Sequence, residues 1–125
     1  MSYRNLLTIS AILAFVFGLG FILMPGQLVS LYNVQLSDAG QLFAQLYGGT
    51  LFSFGLLNWF GRVFSEGAAQ QAILTANLVG DALGFIFSLI RQLGGVPEVN
   101  ALGWSTVLIY LLLTLSFAYL RFFAK

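Results

Sequence analysis

The sequence predicts an all-α integral membrane protein: a four-helix bundle running up-down-up-down, with a short interfacial helix between spans one and two. Three observations lead there. Of 125 residues, 59% are hydrophobic and only 7% are charged, whereas a soluble globular domain carries nearer ~25% charged residues. Four apolar runs, Leu6 to Met24, Ala39 to Gly61, Ala68 to Ile90 and Val99 to Leu120, each approach or exceed the ~20 residues that a helix needs to cross the hydrocarbon core. The charges gather between and beside those runs, with one exception, Asp81.

The length suits a single domain, residues 1–125, with spans expected at about 5–24, 39–62, 68–91 and 100–122. In lipid every backbone N–H and C=O must be paired within the protein, so runs of this length are helices. Strands of a membrane barrel would be ~10 residues long and would alternate polar with apolar, a pattern absent here. Span one follows Arg4 as a signal peptide would. Its apolar run is longer than an ordinary signal core, and Phe21-Ile22-Leu23-Met24-Pro25 offers no small-x-small cleavage site. A retained span is expected.

Between spans one and two, Pro25 suits the first position of a helix. Leu28, Val29, Leu31 and Tyr32 then sit among Gln27, Ser30 and Asn33. That mixture predicts a short helix lying in the interface and ending near Asn33. Ser65-Glu66-Gly67 links spans two and three, and Gly94-Gly95-Val96-Pro97-Glu98 links three and four. Links this short make successive helices antiparallel neighbours.

Orientation follows from the cations. Arg4, Arg62, Arg121 and Lys125 fall on one side, and Arg91 alone falls on the other, beside Asp38 and Glu98. The positive-inside rule then places both termini in the cytoplasm. Tyr3, Trp59, Tyr119 and Phe122 suit the inner interface, and Tyr32 and Trp104 the outer.

Small residues recur at four-residue spacing: Ser10, Ala14 and Gly18 in span one; Ala44 and Gly48, then Gly49 and Ser53, in span two; Ala76, Gly80, Gly84 and Ser88 in span three. Such stripes let helix backbones approach closely where lipid offers no hydrophobic drive. Gly18, Gly48, Gly49, Gly80, Gly84 and Ser88 are therefore expected in helix packing within the bundle. A homodimer face on Gly80-x-x-x-Gly84 is the other reading. Leu19-Gly20-Phe21-Ile22 recurs as Leu83-Gly84-Phe85-Ile86 at similar depth, a faint trace of helix-pair duplication.

Asp81 is the only charge inside Ala68 to Ile90. A lone carboxylate at that depth costs roughly 2.5 kcal/mol or more. Asn77, Asp81, Gly84 and Ser88 follow at spacings of four, three and four, so they form one helix stripe, and that stripe should face inward. Tyr47, Thr50, Ser53, Tyr110 and Thr114 lie at similar depth, and Asn58 and Asn77 should match each other. Arg91 is ten residues from Asp81, roughly 15 Å along a helix, too far for a direct pair. A protonated Asp81 donating to a neighbour and an ionised Asp81 in a wet cavity both stay open.

The chain has no cysteine and no histidine. Disulfides, thiolate sites, histidine-ligated haem, most zinc sites and histidine base catalysis are excluded. No metal site is expected. A net charge of +1 leaves no basic footprint for nucleic acid. One buried acid without a second at matched depth is a thin catalytic set, so a non-enzymatic role is expected.

The order of features resembles small bacterial four-helix integral membrane proteins that are DoxX-like in layout. The likeness rests on Phe21-Ile22-Leu23-Met24-Pro25, on Leu46-Tyr47-Gly48-Gly49-Thr50 through Leu56-Leu57-Asn58-Trp59, on Val79-Gly80-Asp81-Ala82-Leu83-Gly84, and on Asn100-Ala101-Leu102-Gly103-Trp104-Ser105. The resemblance implies the fold and a bacterial inner membrane. DoxX-like proteins are linked with membrane-bound oxidoreductase or quinone-associated roles, so it also points to a bound lipid or quinone-like molecule.

Three readings of the polar stripe compete: interhelical hydrogen-bond glue, a ligand pocket, and proton coupling. The expected function is binding of a lipophilic small molecule or lipid, or support of assembly with another membrane protein or a second copy of the chain. The site would comprise Asp81, Asn77, Thr50, Tyr47, Ser53, Tyr110 and Asn58. The alternative is a small proton-coupled transporter with Asp81 as its protonatable midplane site.

Overall fold

The structure is a computed structural model describing residues 2–95 and 99–124. The link residues Val96, Pro97 and Glu98, and the terminal Lys125 used in the charge count, lie outside the described residues. Five α-helices follow in order: α1 (Tyr3–Leu23), α2 (Pro25–Ser30), α3 (Asp38–Gly61), α4 (Ala68–Ile90) and α5 (Gly103–Ala118). Single π-helical turns, Arg91–Gly95 and Tyr119–Phe123, extend α4 and α5. No strand occurs among the described residues.

Local chemistry sets the boundaries. The Ser2 hydroxyl accepts from the Asn5 N–H and opens α1, and the Ser37 hydroxyl accepts from the Gly40 N–H and opens α3, the usual role of serine at a helix start. Pro25 begins α2, where its missing N–H costs nothing. That helix ends at Ser30, and a turn carries on to Asn33, whose φ of 62° is a conformation asparagine tolerates. Gly67 leads into α4 with φ 150°, which a side chain would strain. The fourth run enters α5 at Gly103, three residues later than expected, because the Asn100 side chain accepts from the Leu102 N–H and forms a turn there.

Three helices are long and apolar enough to cross a membrane: Tyr3–Leu23, Ala68–Gly94 and Gly103–Phe123, the last two including their π turns. The 24-residue α3 is long enough, but Gln41, Gln45, Thr50, Ser53, Asn58 and its glycines dilute its apolar character. Large apolar side chains point outward along the molecule, among them Phe43, Phe60, Phe87 and Phe123. That surface would be unsustainable in water and is ordinary in lipid.

The helices pack as two antiparallel pairs. Along α1 and α3 the contacts run from end to end: Tyr3 Oη donates to Gly61 O at 2.9 Å, Gly55 faces Ala14, Gly48 faces Gly18, and Gln45 Nε2 donates to Ile22 O at 3.2 Å. A Cβ at Gly48 would fall 2.8 Å from Gly18 O, so only glycine permits this approach. Along α4 and α5, Arg121 Nε donates to Thr75 Oγ1 at 2.9 Å, the Tyr110 ring covers Gly84, and Gln92 Nε2 donates to Asn100 O at 3.1 Å.

The pairs meet at two places. Near the termini, Leu6 and Leu7 from α1, Ile73 and Leu74 from α4, and Phe117 from α5 form the buried apolar core. At the opposite end, Asn100 Nδ2 donates to Leu31 O at 2.9 Å and Asn100 N–H to Tyr32 O at 3.1 Å. Between these attachments the pairs touch through the Tyr47 and Tyr110 hydroxyls, 2.7 Å apart, and otherwise stand apart.

Candidate functional site

The site is built on α4. Its stripe of Asn77, Asp81, Gly84 and Ser88 turns toward the gap between the helix pairs. Asn77 is buried and faces Asn58 on α3, as the matched depth of the two residues implies. Asn77 Nδ2 donates to Asn58 Oδ1 at 2.8 Å, and Asn58 Nδ2 donates to Asn77 Oδ1 at 2.9 Å. Their remaining amide hydrogens go to Ile73 O at 3.0 Å and Ser10 Oγ at 3.1 Å. Every donor of this pair is satisfied, so it forms a closed polar floor with little left for a ligand.

Asp81 stands one helical turn beyond that floor. Its Oδ2 is buried and has no hydrogen-bond partner, the one such side-chain atom among the described residues. The expected interhelical glue through Thr50, Tyr47 or Tyr110 is therefore not made by this oxygen. A buried polar atom without a partner is costly and rare. Asp81 as a residue lines a cavity of about 340 Å³ whose walls include Thr50, Phe54, Gly80, Leu83 and Phe87. The roof is a pair of tyrosines: the Tyr47 and Tyr110 hydroxyls lie 2.7 Å apart.

Beyond the tyrosines lies a second cavity of about 320 Å³, near α2. Tyr47, Leu51, Ile109 and Tyr110 line both. Ser88 and Arg91 belong to the second, so the α4 stripe spans the two. Two cations are engaged elsewhere. Arg62 stacks 3.7 Å over the Trp59 ring and donates to the Trp59 carbonyl. Arg121 reaches Thr75. Among the described residues, no three acidic, histidine or cysteine side chains gather as metal ligands. The Asp81 cavity thus offers one lone carboxyl, hydroxyls and hydrocarbon, a set suited to hydrogen-bonding a small polar head within an apolar volume.

Several expected residues stand elsewhere. Ser53 is exposed, donates back to Gly49 O at 3.1 Å and lines neither cavity. Thr114 likewise donates to Tyr110 O at 2.6 Å. Gly49 and Gly80, expected in packing, have open space where a Cβ would stand. Among the described residues, nothing lies within 4 Å of that point at either glycine. Gly18, Gly48 and Gly84 do sit at helix contacts, and Ser88 lines the second cavity while donating to Phe85 O. Sequence reasoning missed Gly55 and Gly61, which face Phe15 and Ile73. Gly48, Gly55 and Gly61 follow at spacings of seven and six, off a four-residue stripe. It also missed Asn100, whose place after a glycine-rich link was the available signal.

No protein-family model, no curated protein and no solved structure matches the chain.

Proposed function

We propose that this chain is a non-enzymatic protein of a bacterial inner membrane that holds a lipophilic small molecule or lipid in the Asp81 cavity. In this reading α3 is the fourth span of an up-down-up-down bundle, with Asn58 paired to Asn77, Thr50 on the cavity and the Ser53 hydroxyl bonded to its own helix. Both termini are cytoplasmic and α2 lies in the outer interface. The charge bias of the sequence supports that direction. One observation carries the binding role: Asp81, whose carboxyl keeps one oxygen buried without a partner, lines a volume of about 340 Å³ with largely apolar walls.

A ligand with a hydroxyl, N–H or carbonyl head would hydrogen-bond Asp81, using whichever protonation state complements it. Thr50 and the tyrosine hydroxyls stand on the same cavity wall. Leu83 and Phe87, both exposed, rim the cavity and present it sideways to acyl chains. Entry from the bilayer needs no aqueous path. The DoxX-like layout adds a quinone-like molecule to the candidates.

The test is mass spectrometry of small molecules retained after mild extraction. Wild type should carry a lipophilic species. Asp81→Asn should keep the fold and part of the load, and Asp81→Leu should lose the load. Equal amounts of the same species on wild type and Asp81→Leu would refute the binding role. A polypeptide retained in place of a small molecule would favour assembly with another membrane protein or a second copy.

A specific observation favours one second reading, a small proton-coupled transporter. The two cavities lie end to end and share a tyrosine pair as their common wall, an arrangement that could load Asp81 from one side at a time. Proteoliposomes should then show proton uptake that Asp81→Asn abolishes. Uptake unchanged by that variant would eliminate coupling through Asp81.

A further inference from the structure

We infer that the second cavity, beside α2, is a separate site for the acyl chain of an anionic amphiphile, with its carboxylate or phosphate head on Arg91. The inference rests on the membrane placement proposed above and not on the Asp81 site.

Arg91 is the first residue after α4 and lines this cavity. It ends the apolar run of span three, so its guanidinium belongs at headgroup level. The walls below it are apolar, among them Phe17, Phe21, Val29, Leu51 and Ile109. From Arg91 down α4 to Gly84, where Tyr110 closes the cavity, is seven residues, roughly 10 Å. A chain inserted between the helix pairs would thus run from the interface to the tyrosine roof.

The polar side chains around the mouth are mostly committed. Ser88 Oγ donates to Phe85 O, Gln92 Nε2 to Asn100 O, and Thr106 Oγ1 to the Tyr32 hydroxyl. Arg91 is the one charged residue among those lining this cavity, and the Tyr32 hydroxyl hydrogen stands ready beside it. Guanidinium forms its strongest hydrogen bonds with carboxylate and phosphate, often two at once. Asp38, the described acid at this end, does not line the cavity. Charge and depth therefore select an anion at the interface with hydrocarbon beneath it.

The two cavities then differ in kind. The inner one presents a lone acid and favours a hydrogen-bonding head. The outer one presents a lone cation and favours an anion.

The experiment is native mass spectrometry of the full chain in mild detergent, titrated with oleate, dioleoylphosphatidylglycerol and dioleoylphosphatidylcholine. Wild type should bind an anionic species in preference to the phosphatidylcholine. Arg91→Gln should weaken that binding by about tenfold or more, and Arg91→Lys should keep most of it. Val29→Trp, which fills the outer cavity, should block it, and Asp81→Asn should leave it unchanged. Binding of oleate alone identifies a free fatty acid, and binding of phosphatidylglycerol identifies a phospholipid; either supports the site. Binding indifferent to Arg91→Gln, no preference for the anionic species, or loss in Asp81→Asn equal to that in Arg91→Gln would overturn it.

Discussion

The α1–α3 seam and the α3–α4 seam use the same kinds of residue to opposite effect. Along α1–α3, Gly18, Gly48 and Gly55 bring the helices together, and Tyr3 fastens the end of α3 by donating to the Gly61 carbonyl. The α3–α4 seam is pinned near one end by Asn58 and Asn77, with Ile73 against Gly61, and then opens into the Asp81 cavity. Gly80 and Gly49 stand beside that opening with nothing against them. A small residue lets a backbone approach only when the facing helix has a matching surface at that level. Where it has none, the same glycine makes room instead of contact.

Gly48→Val should break the closed seam most severely. Its Cβ would meet Gly18 O at 2.8 Å and the Ile22 backbone nitrogen at 3.0 Å, neither of which can rotate away. Overpacking of this kind costs about 3 kcal/mol or more. Thermal unfolding in detergent should show a large loss, and an unchanged midpoint would mean that the seam is looser than described.

Asn58→Leu attacks the pin of the open seam. It strands the Asn77 amide and removes the donor to Ser10, at a cost of about 1–3 kcal/mol. Asn58→Leu combined with Asn77→Leu should recover part of that loss, since no orphan amide remains. A strictly additive double variant would show that the two amides do not act as a pair.

Tyr47→Phe sharpens the comparison more gently. Removing one hydroxyl of the 2.7 Å pair should cost ~1 kcal/mol or less, the usual worth of a polar contact between membrane helices. It should also make the two cavities exchange bound species more readily, which a slower release from wild type would reveal. A destabilisation as large as that of Asn58→Leu would reassign the roof as a structural clamp.

Gly80→Ala should have the smallest effect and the opposite sign. The added methyl meets open space, and alanine favours the helix by up to ~1 kcal/mol over glycine. A clear fall in stability would place a helix or partner against Gly80 and would revive the dimer face.

Much of the local structure was legible. The spans expected at 39–62 and 68–91 are α3 (Asp38–Gly61) and α4 (Ala68–Ile90), because hydrocarbon-length apolar runs bounded by charge, proline and glycine are local signals. The matched depth of Asn58 and Asn77 was legible too, since rise per residue converts position into depth. Ser53 and Gly80 were misread because neither depth nor spacing says which face a neighbouring helix covers. Arg91 was read as an orientation marker, and its place on a cavity wall depends on α2 folding back beside it.

The sequence alone determined that the chain is helical, that its surface suits lipid, and that one acid sits mid-way along its third apolar run. Those properties follow from composition and from the need of each backbone to satisfy its own polar groups. Tertiary structure alone decided which helices pair closely, where the pairs separate, and hence that Asp81 lines a cavity with one carboxyl oxygen unpartnered. Pairing is decided by steric match between distant faces, such as Gly18 against Gly48, and no single segment encodes a match with another.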